Sequence, residues 1–400
     1  MSLSLTPPVG TPATLKRTTH ESFDCLVGGT QYTLVQSGTA ALALALLVAK
    51  RHKADKNEVI IPAYGCPDLV AAIEYAGLVA VVVDVFACPY SYCEEALNSS
   101  LNENTLAIVC PTLLGIRMPI NALRNTVGNE LIIIEDNAQW LPSSTAKPVI
   151  ENSGQTRFFD DSFEPIDMSI VSFGRGKPVN LLGGGALFLH NSSLTTVFES
   201  LTDALGHVQI AKKASTDNIS LKYRLKASLF NFLCSPLIYG AVARLPFLSI
   251  GETKFHPLMS IEALGNDQKQ LLVSAIKAYL AHEPKAEVKL RKLKPDNKMA
   301  EQTHNRLLRY PLLCFSKTER DALIRKLSLA GIGASPFYNA LLPEIDDVDS
   351  KVKRYAEIKH AKVLADKMLT LPVHPGISTN HVDVMISNLD NVLPTSMSVN

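Results

Sequence analysis

The residues able to do chemistry fall in four short runs. Ser37, Gly38, Thr39 and Ala40 form a turn that opens an Ala- and Leu-rich stretch. Free N–H groups and the dipole at such a helix start favour an anion such as phosphate, although the same turn also serves as an ordinary cap. The run 134–139, Ile-Glu-Asp-Asn-Ala-Gln, sets Asp136 after a string of Leu and Ile. A carboxylate there can pair with a cationic ring nitrogen, or simply cap a helix. In the run 172–177, Ser-Phe-Gly-Arg-Gly-Lys, Lys177 follows another apolar stretch. Partial burial would favour its neutral amine, a nucleophile that can form a Schiff base, whereas most loop lysines are solvated. Leu182, Gly183, Gly184 and Gly185 permit close backbone approach before a further apolar run, or form a plain flexible turn.

These runs need elements that bring them together. Apolar stretches at 58–62, 78–85, 105–111, 131–136, 168–173 and 185–189 read as strands, and 40–53, 67–76 and 121–127 as helices. The alternation predicts an α/β fold with a mostly parallel central sheet. Ligands of such sheets sit beyond the carboxyl ends of the strands, which singles out Tyr64, Asp84, Pro111, Asp136 and Lys177. Residues 201–294 turn helical. After them come a strand at 309–315, a helix at 317–330 closed by Gly331, a helix at 351–369, an extended run at 369–375 and a helix at 380–392. The expected division is an N-terminal extension 1–30, a large cofactor-binding domain 31–200, a helical connecting region 201–294 and a small C-terminal α+β domain 295–400. A phosphate cradle, then a ring-nitrogen acid, then Ser and Lys is the layout of a pyridoxal phosphate site.

Composition narrows the class further. Lys plus Arg is 39 against 38 Asp plus Glu, a net charge of +1, which gives no electrostatic reason to expect nucleic acid. Charged residues are only 19%, which excludes a largely disordered chain. The seven cysteines contain no Cys-x-x-Cys pair, so no metal site is expected, and they read as reduced cysteines of a cytoplasmic protein. The first residues lack the pattern of a secretory signal. The run 229–250 has the length of a membrane span but carries Pro236, Arg244 and Pro246. A buried or subunit-facing helix pair is the first reading, and a shallow membrane-surface contact the second.

The chain resembles the DegT/StrS-type sugar aminotransferases, of the fold type I pyridoxal phosphate architecture. The resemblance rests on SGTAAL at 37–42, VVVDV at 81–85, IIEDNAQ at 133–139, SFGRGK at 172–177, GGGAL at 183–187, RYPLL at 309–313, GIGASPFY at 331–338 and LTLPVHP at 369–375. It implies that Lys177 carries the cofactor and shuttles protons, and that Asp136 keeps the pyridine nitrogen protonated. Gln139 would contact the ring, and Gly38, Thr39, Ala40 and Ser172 would hold the phosphate. It also implies a homodimer with a shared active site that moves an amino group, with glutamate the expected donor, onto a nucleotide-linked keto-sugar. Relatives with histidine in place of this lysine act as dehydratases; Lys177 favours transamination over that, and over a non-catalytic scaffold. Some positions depart from the pattern. Cys66 stands where an aromatic is expected over the ring, with Tyr64 the nearest substitute. His256 replaces the asparagine of an Asn-x-Arg-Met element that reaches the partner's cofactor, and no arginine follows it.

Overall fold

Twelve strands organise the described residues: β1 (Gln31–Val35), β2 (Glu58–Pro62), β3 (Val79–Val83), β4 (Val85–Ala87), β5 (Tyr90–Tyr92), β6 (Thr105–Pro111), β7 (Ile132–Asn137), β8 (Met168–Ser172), β9 (Gly185–Leu189), β10 (Arg309–Leu313), β11 (Val352–Lys353) and β12 (Met368–Pro372). They come from a computed structural model that describes residues 4–141, 165–204, 218–243 and 253–389. Eight of them form one sheet in the order β1-β9-β8-β7-β6-β2-β3-β11. All its pairings are parallel except those of β9, which runs against both β8 and β1. The expected α/β fold with a mostly parallel sheet is what the chain adopts.

The strands are Val- and Ile-rich because both faces of this sheet are covered. Alternate residues feed two apolar clusters: Ile170 and Leu187 face one, Val171, Ala186 and Phe188 the other. The first cluster contains the helix Gly38–His52, whose alanines let it lie close against β8 and β9. It is apolar nearly all round, the pattern of a fully buried helix. The second is closed by the helix Asn266–Ala281 and by Phe23, Leu26 and Val27. The C-terminal part packs its helices Lys317–Leu329, Ala361–Lys367 and Thr379–Leu389 with the antiparallel pair β10–β12.

Two expected elements are corrected. The run 78–85 is not one strand: β3 ends at Val83, and after Asp84 the chain enters a β4–β5 hairpin. Asp84 therefore stays out of the ligand edge. It is 2% exposed and accepts the N–H groups of Lys359, His360 and Ala361 at 2.7–2.9 Å, with His360 Nδ1 at 2.8 Å. The expected helix 351–369 shrinks to Ala361–Lys367, because Asp84 caps it there. Residues ahead of it are drawn to the sheet instead: β11 pairs with β3, and Lys353 and Tyr355 both reach buried Glu58, at 2.8 and 2.7 Å. The helix expected at 380–392 is Thr379–Leu389, with 390–392 outside the described residues.

Burial works against ionisation of Asp84, but the three N–H donors and the imidazole outweigh it and hold the carboxyl below its ordinary value. A depressed folded-state pKa contributes stability above the unfolded value of about 4, lost as pH falls through the folded one. Asp84→Ala should lower unfolding free energy at neutral pH by about 2–3 kcal/mol, the cost of stranding its donors. Urea melts across the acid range should show that the variant has lost this part of the acid sensitivity.

Candidate active site

The carboxyl ends of β2, β6, β7 and β8 open into a narrow cleft that also takes in the start of the helix Gly38–His52. Of the residues singled out in the sequence, Gly38, Thr39, Tyr64, Cys66, Pro111, Asp136, Gln139, Ser172 and Lys177 line it. Two more open grooves, along β1 and along β11, lack such a convergence of acid, amine and helix start.

Strand alternation decides which acid faces the cleft. Glu135 turns to the opposite side, where Arg117 Nε meets it at 2.6 Å and Asn137 Nδ2 at 2.9 Å. Asp136 lines the cleft, its Oδ1 accepting the Ala138 N–H at 2.9 Å. Burial raises its pKa, opposed by that N–H and by the charge of Lys177. A cation placed against it would favour the carboxylate. Lys177 follows the glycine-rich turn after β8 and is half-buried. Its amine makes no hydrogen bond or ion pair among the described residues.

The helix start is built by close approach. Ser37 caps it, its Oγ accepting the Ala40 N–H at 3.0 Å. Ala40 therefore lies one step too deep: it is fully buried, its N–H is engaged, and it does not line the cleft. That leaves the N–H groups of Gly38 and Thr39, which have no partner within the helix, beside the Ser172 hydroxyl. A Cβ on Gly38 would sit 2.7 Å from Ser172 Cβ, so only glycine allows β8 this near the helix.

Tyr64 borders the cleft together with a second tyrosine. Tyr64 is buried and meets the ring of Tyr338 edge-on, centroids 5.3 Å apart. Its hydroxyl accepts the Tyr338 N–H at 3.0 Å and faces the Tyr338 carbonyl at 3.3 Å. Gln139 accepts the Leu114 N–H at 2.8 Å and donates to the Tyr338 hydroxyl at 3.0 Å. Tyr338, Tyr90, Cys66 and Asp68 also line the cleft. Of these, Tyr338 and Tyr90 were given no role from sequence, and Asp68 was seen only as part of a helix. Tyr338 closes the run 331–338, and that position was its one signal. His256 is exposed and lies outside this chain's cleft.

The N-terminal segment was also missed. Thr6 donates its N–H to Gly331 O at 2.9 Å and accepts the Gly333 N–H at 3.1 Å, while His374 Nε2 faces Pro7 O at 3.0 Å. Burial lowers the His374 pKa to about 4, so the ring is neutral and donates there. Asn180, on the loop carrying Lys177, then donates to Thr11 O at 2.8 Å, and Asn231 clasps Ala13 at both backbone groups. Pro- and Thr-rich, this strap has no periodicity; its hydrogen bonds run to distant loops.

An amine and an acid at the carboxyl edge of a parallel sheet, opposite a helix start, define a pyridoxal phosphate-type transferase site. The DegT/DnrJ/EryC1/StrS aminotransferase family model matches residues 18–233 and 261–390, and the chain belongs to that family. Among solved structures it is similar to the pyridoxal phosphate form of a putative sugar aminotransferase, Spr1654, from Streptococcus pneumoniae, at 17% identity over 96% of this chain and 94% of that one, TM-score 0.66. It is also similar to PseC from Helicobacter pylori, an aminotransferase of pseudoaminic acid biosynthesis, at 16% identity over 97% and 98%, TM-score 0.64. A third is the Escherichia coli GDP-4-keto-6-deoxy-D-mannose-3-dehydratase with hydrated pyridoxal phosphate, at 15% identity over 92% and 89%, TM-score 0.61. No curated protein sequence matches the chain.

Two measurements test the site's geometry. Burial, reinforced by Asp68, pushes the Cys66 thiol up to about 12 despite Lys177. It should stay protonated and resist a thiol reagent up to mildly alkaline pH, while exposed Cys25 and Cys88 react first. Mass spectrometry of the labelled peptides gives the order. Gly38→Ala should force helix and β8 apart, cost about 1–3 kcal/mol in thermal or urea unfolding, and weaken anion binding at the helix start.

Proposed function

We propose that the chain is a pyridoxal phosphate-dependent aminotransferase that moves an amino group from an amino acid, with glutamate the expected donor, to the keto group of a nucleotide-linked sugar. The observation that carries this reading is the Lys177 amine, without a hydrogen-bond or ion-pair partner among the described residues, in the same cleft as Asp136 and the Gly38 helix start. The residues present fit the cofactor: an amine for its aldehyde, an acid for its ring nitrogen, and N–H groups with a hydroxyl for its phosphate.

When bound, the cofactor supplies an electron sink that stabilises negative charge on the substrate carbon bearing the amino group. Lys177 then acts as the base that takes the proton from that carbon and returns it on the other side of the exchange. Asp136 keeps the ring nitrogen protonated, and the bound cation in turn keeps Asp136 ionised against its burial. Gly38, Thr39 and Ser172 orient the phosphate. Gln139, fixed by Leu114 and Tyr338, presents a rigid amide to the ring. Lys177 also favours transamination over the dehydratase activity carried by one of the structural relatives.

The same reading includes a cytoplasmic homodimer in which the partner subunit's His256 reaches this cleft. The division at 31–200, 201–294 and 295–400 then separates cofactor binding, subunit contact and closure.

Borohydride treatment of the loaded enzyme should fix the cofactor to Lys177 and leave Lys177→Ala unlabelled. Glutamate alone should convert the bound cofactor to its amine form with release of 2-oxoglutarate, and Lys177→Ala should slow this by about 10²–10⁴-fold. An unlabelled wild type sinks the proposal; labelling without 2-oxoglutarate would move it to lyase chemistry.

A further inference from the structure

The helix Leu221–Leu233 runs into a second, Pro236–Val242, across a bend of 80°. Pro236 opens the second helix and cannot extend the hydrogen-bond ladder of the first. One face of the first helix is packed: Tyr223 and Ala227 are buried, and Asn231 grips the strap at Ala13. The other face carries Leu221, Leu225, Leu229 and Phe232 at 58–70% exposure, and Leu237 follows on the second helix at 66%. Steps of four, four and three residues place the first four on one stripe.

Charge flanks that stripe with one sign. Lys222, Arg224 and Lys226 are exposed and form no ion pair among the described residues. No Asp or Glu occurs between Asp217 and Glu252. The family match passes over 234–260, which takes in the second helix and the apolar run after it, of which 244–250 lie outside the described residues. No single described helix is long and apolar enough to cross a membrane. At 13 residues the first is about 20 Å long, short of a hydrocarbon core of about 30 Å.

We propose that this bent helix pair is a docking surface for an anionic lipid bilayer. Leu221, Leu225, Leu229, Phe232 and Leu237 enter the boundary between headgroups and acyl chains, and the three cations meet anionic headgroups. Charge decides between occupants. A twofold contact through the stripe would bring two sets of Lys222, Arg224 and Lys226 together with no acid on either helix to offset them. The proposal stands apart from the catalytic reading, because vesicle binding requires no turnover.

The test is co-sedimentation of the full-length protein, as purified, with vesicles of phosphatidylcholine alone or mixed with phosphatidylglycerol. The protein should pellet with the mixed vesicles, and less so as salt rises. Lys222→Ala and Lys226→Ala should each lower the partition coefficient about fivefold. The double variant Leu225→Glu with Phe232→Glu should abolish pelleting yet keep the wild-type melting temperature, since both side chains face solvent. Wild-type protein that stays in the supernatant with mixed vesicles overturns the proposal, as does pelleting indifferent to these substitutions. Sedimentation velocity in which the Leu/Phe variant halves the wild-type mass also overturns it, by assigning the stripe to a second copy.

Discussion

The close approach of the Gly38 helix start to the end of β8 is the contact on which the site depends. Hydrogen-bond donors at a helix start are aimed along the helix, so they reach a ligand only if the wall opposite comes near. Here that wall is Ser172, and the absence of a single Cβ at Gly38 sets its distance. Gly185 repeats the device one strand over, where any side chain would collide with the Ser37 carbonyl. The alanines of the same helix allow the approach along its length. Local glycine geometry and the Ala-rich face therefore serve one end: a polar edge on an otherwise dry α/β sandwich.

Buried acids away from the cleft join the parts of the chain. Asp84 reaches from the end of β3 to the start of Ala361–Lys367, and Glu58 from β2 to Lys353 and Tyr355. Each carboxylate is desolvated, a cost met only because several donors converge on it. The C-terminal part thus contributes β11 to the main sheet as well as packing beside it.

Much of this was legible because strands buried on both faces write themselves as runs of Val and Ile. β2, β6 and β9 begin and end where the apolar runs do. Asp136 on a strand end and Lys177 in the turn beyond one could be placed at the same sheet edge for the same reason. What could not be read depended on contacts distant in sequence. Val85 continues the β-branched run of β3, and only the pull of Lys359–Ala361 on Asp84 ends that strand. Residues 351–360 have ordinary helical composition, yet pairing with an open sheet edge outweighs weak local propensity. The strap has no signal at all, since its partners lie more than 150 residues away.

The tyrosine pair bears on how the cleft is held. In a two-part enzyme the small part commonly closes on the ligand, and ordering costs are met at binding. Here Tyr64 holds the backbone of Tyr338, and Gln139 holds its hydroxyl, with no ligand needed for either contact. The residues joined lie 274 and 199 positions apart. The loop after Gly331 is therefore fixed over the cleft from the side of Tyr64 and Gln139, while the strap pins it from the other through Thr6 and Gly333. A site clamped twice loses little freedom when it binds, so more of the binding energy remains for orienting the reacting groups. Tyr64 thereby positions the second tyrosine that borders the cleft.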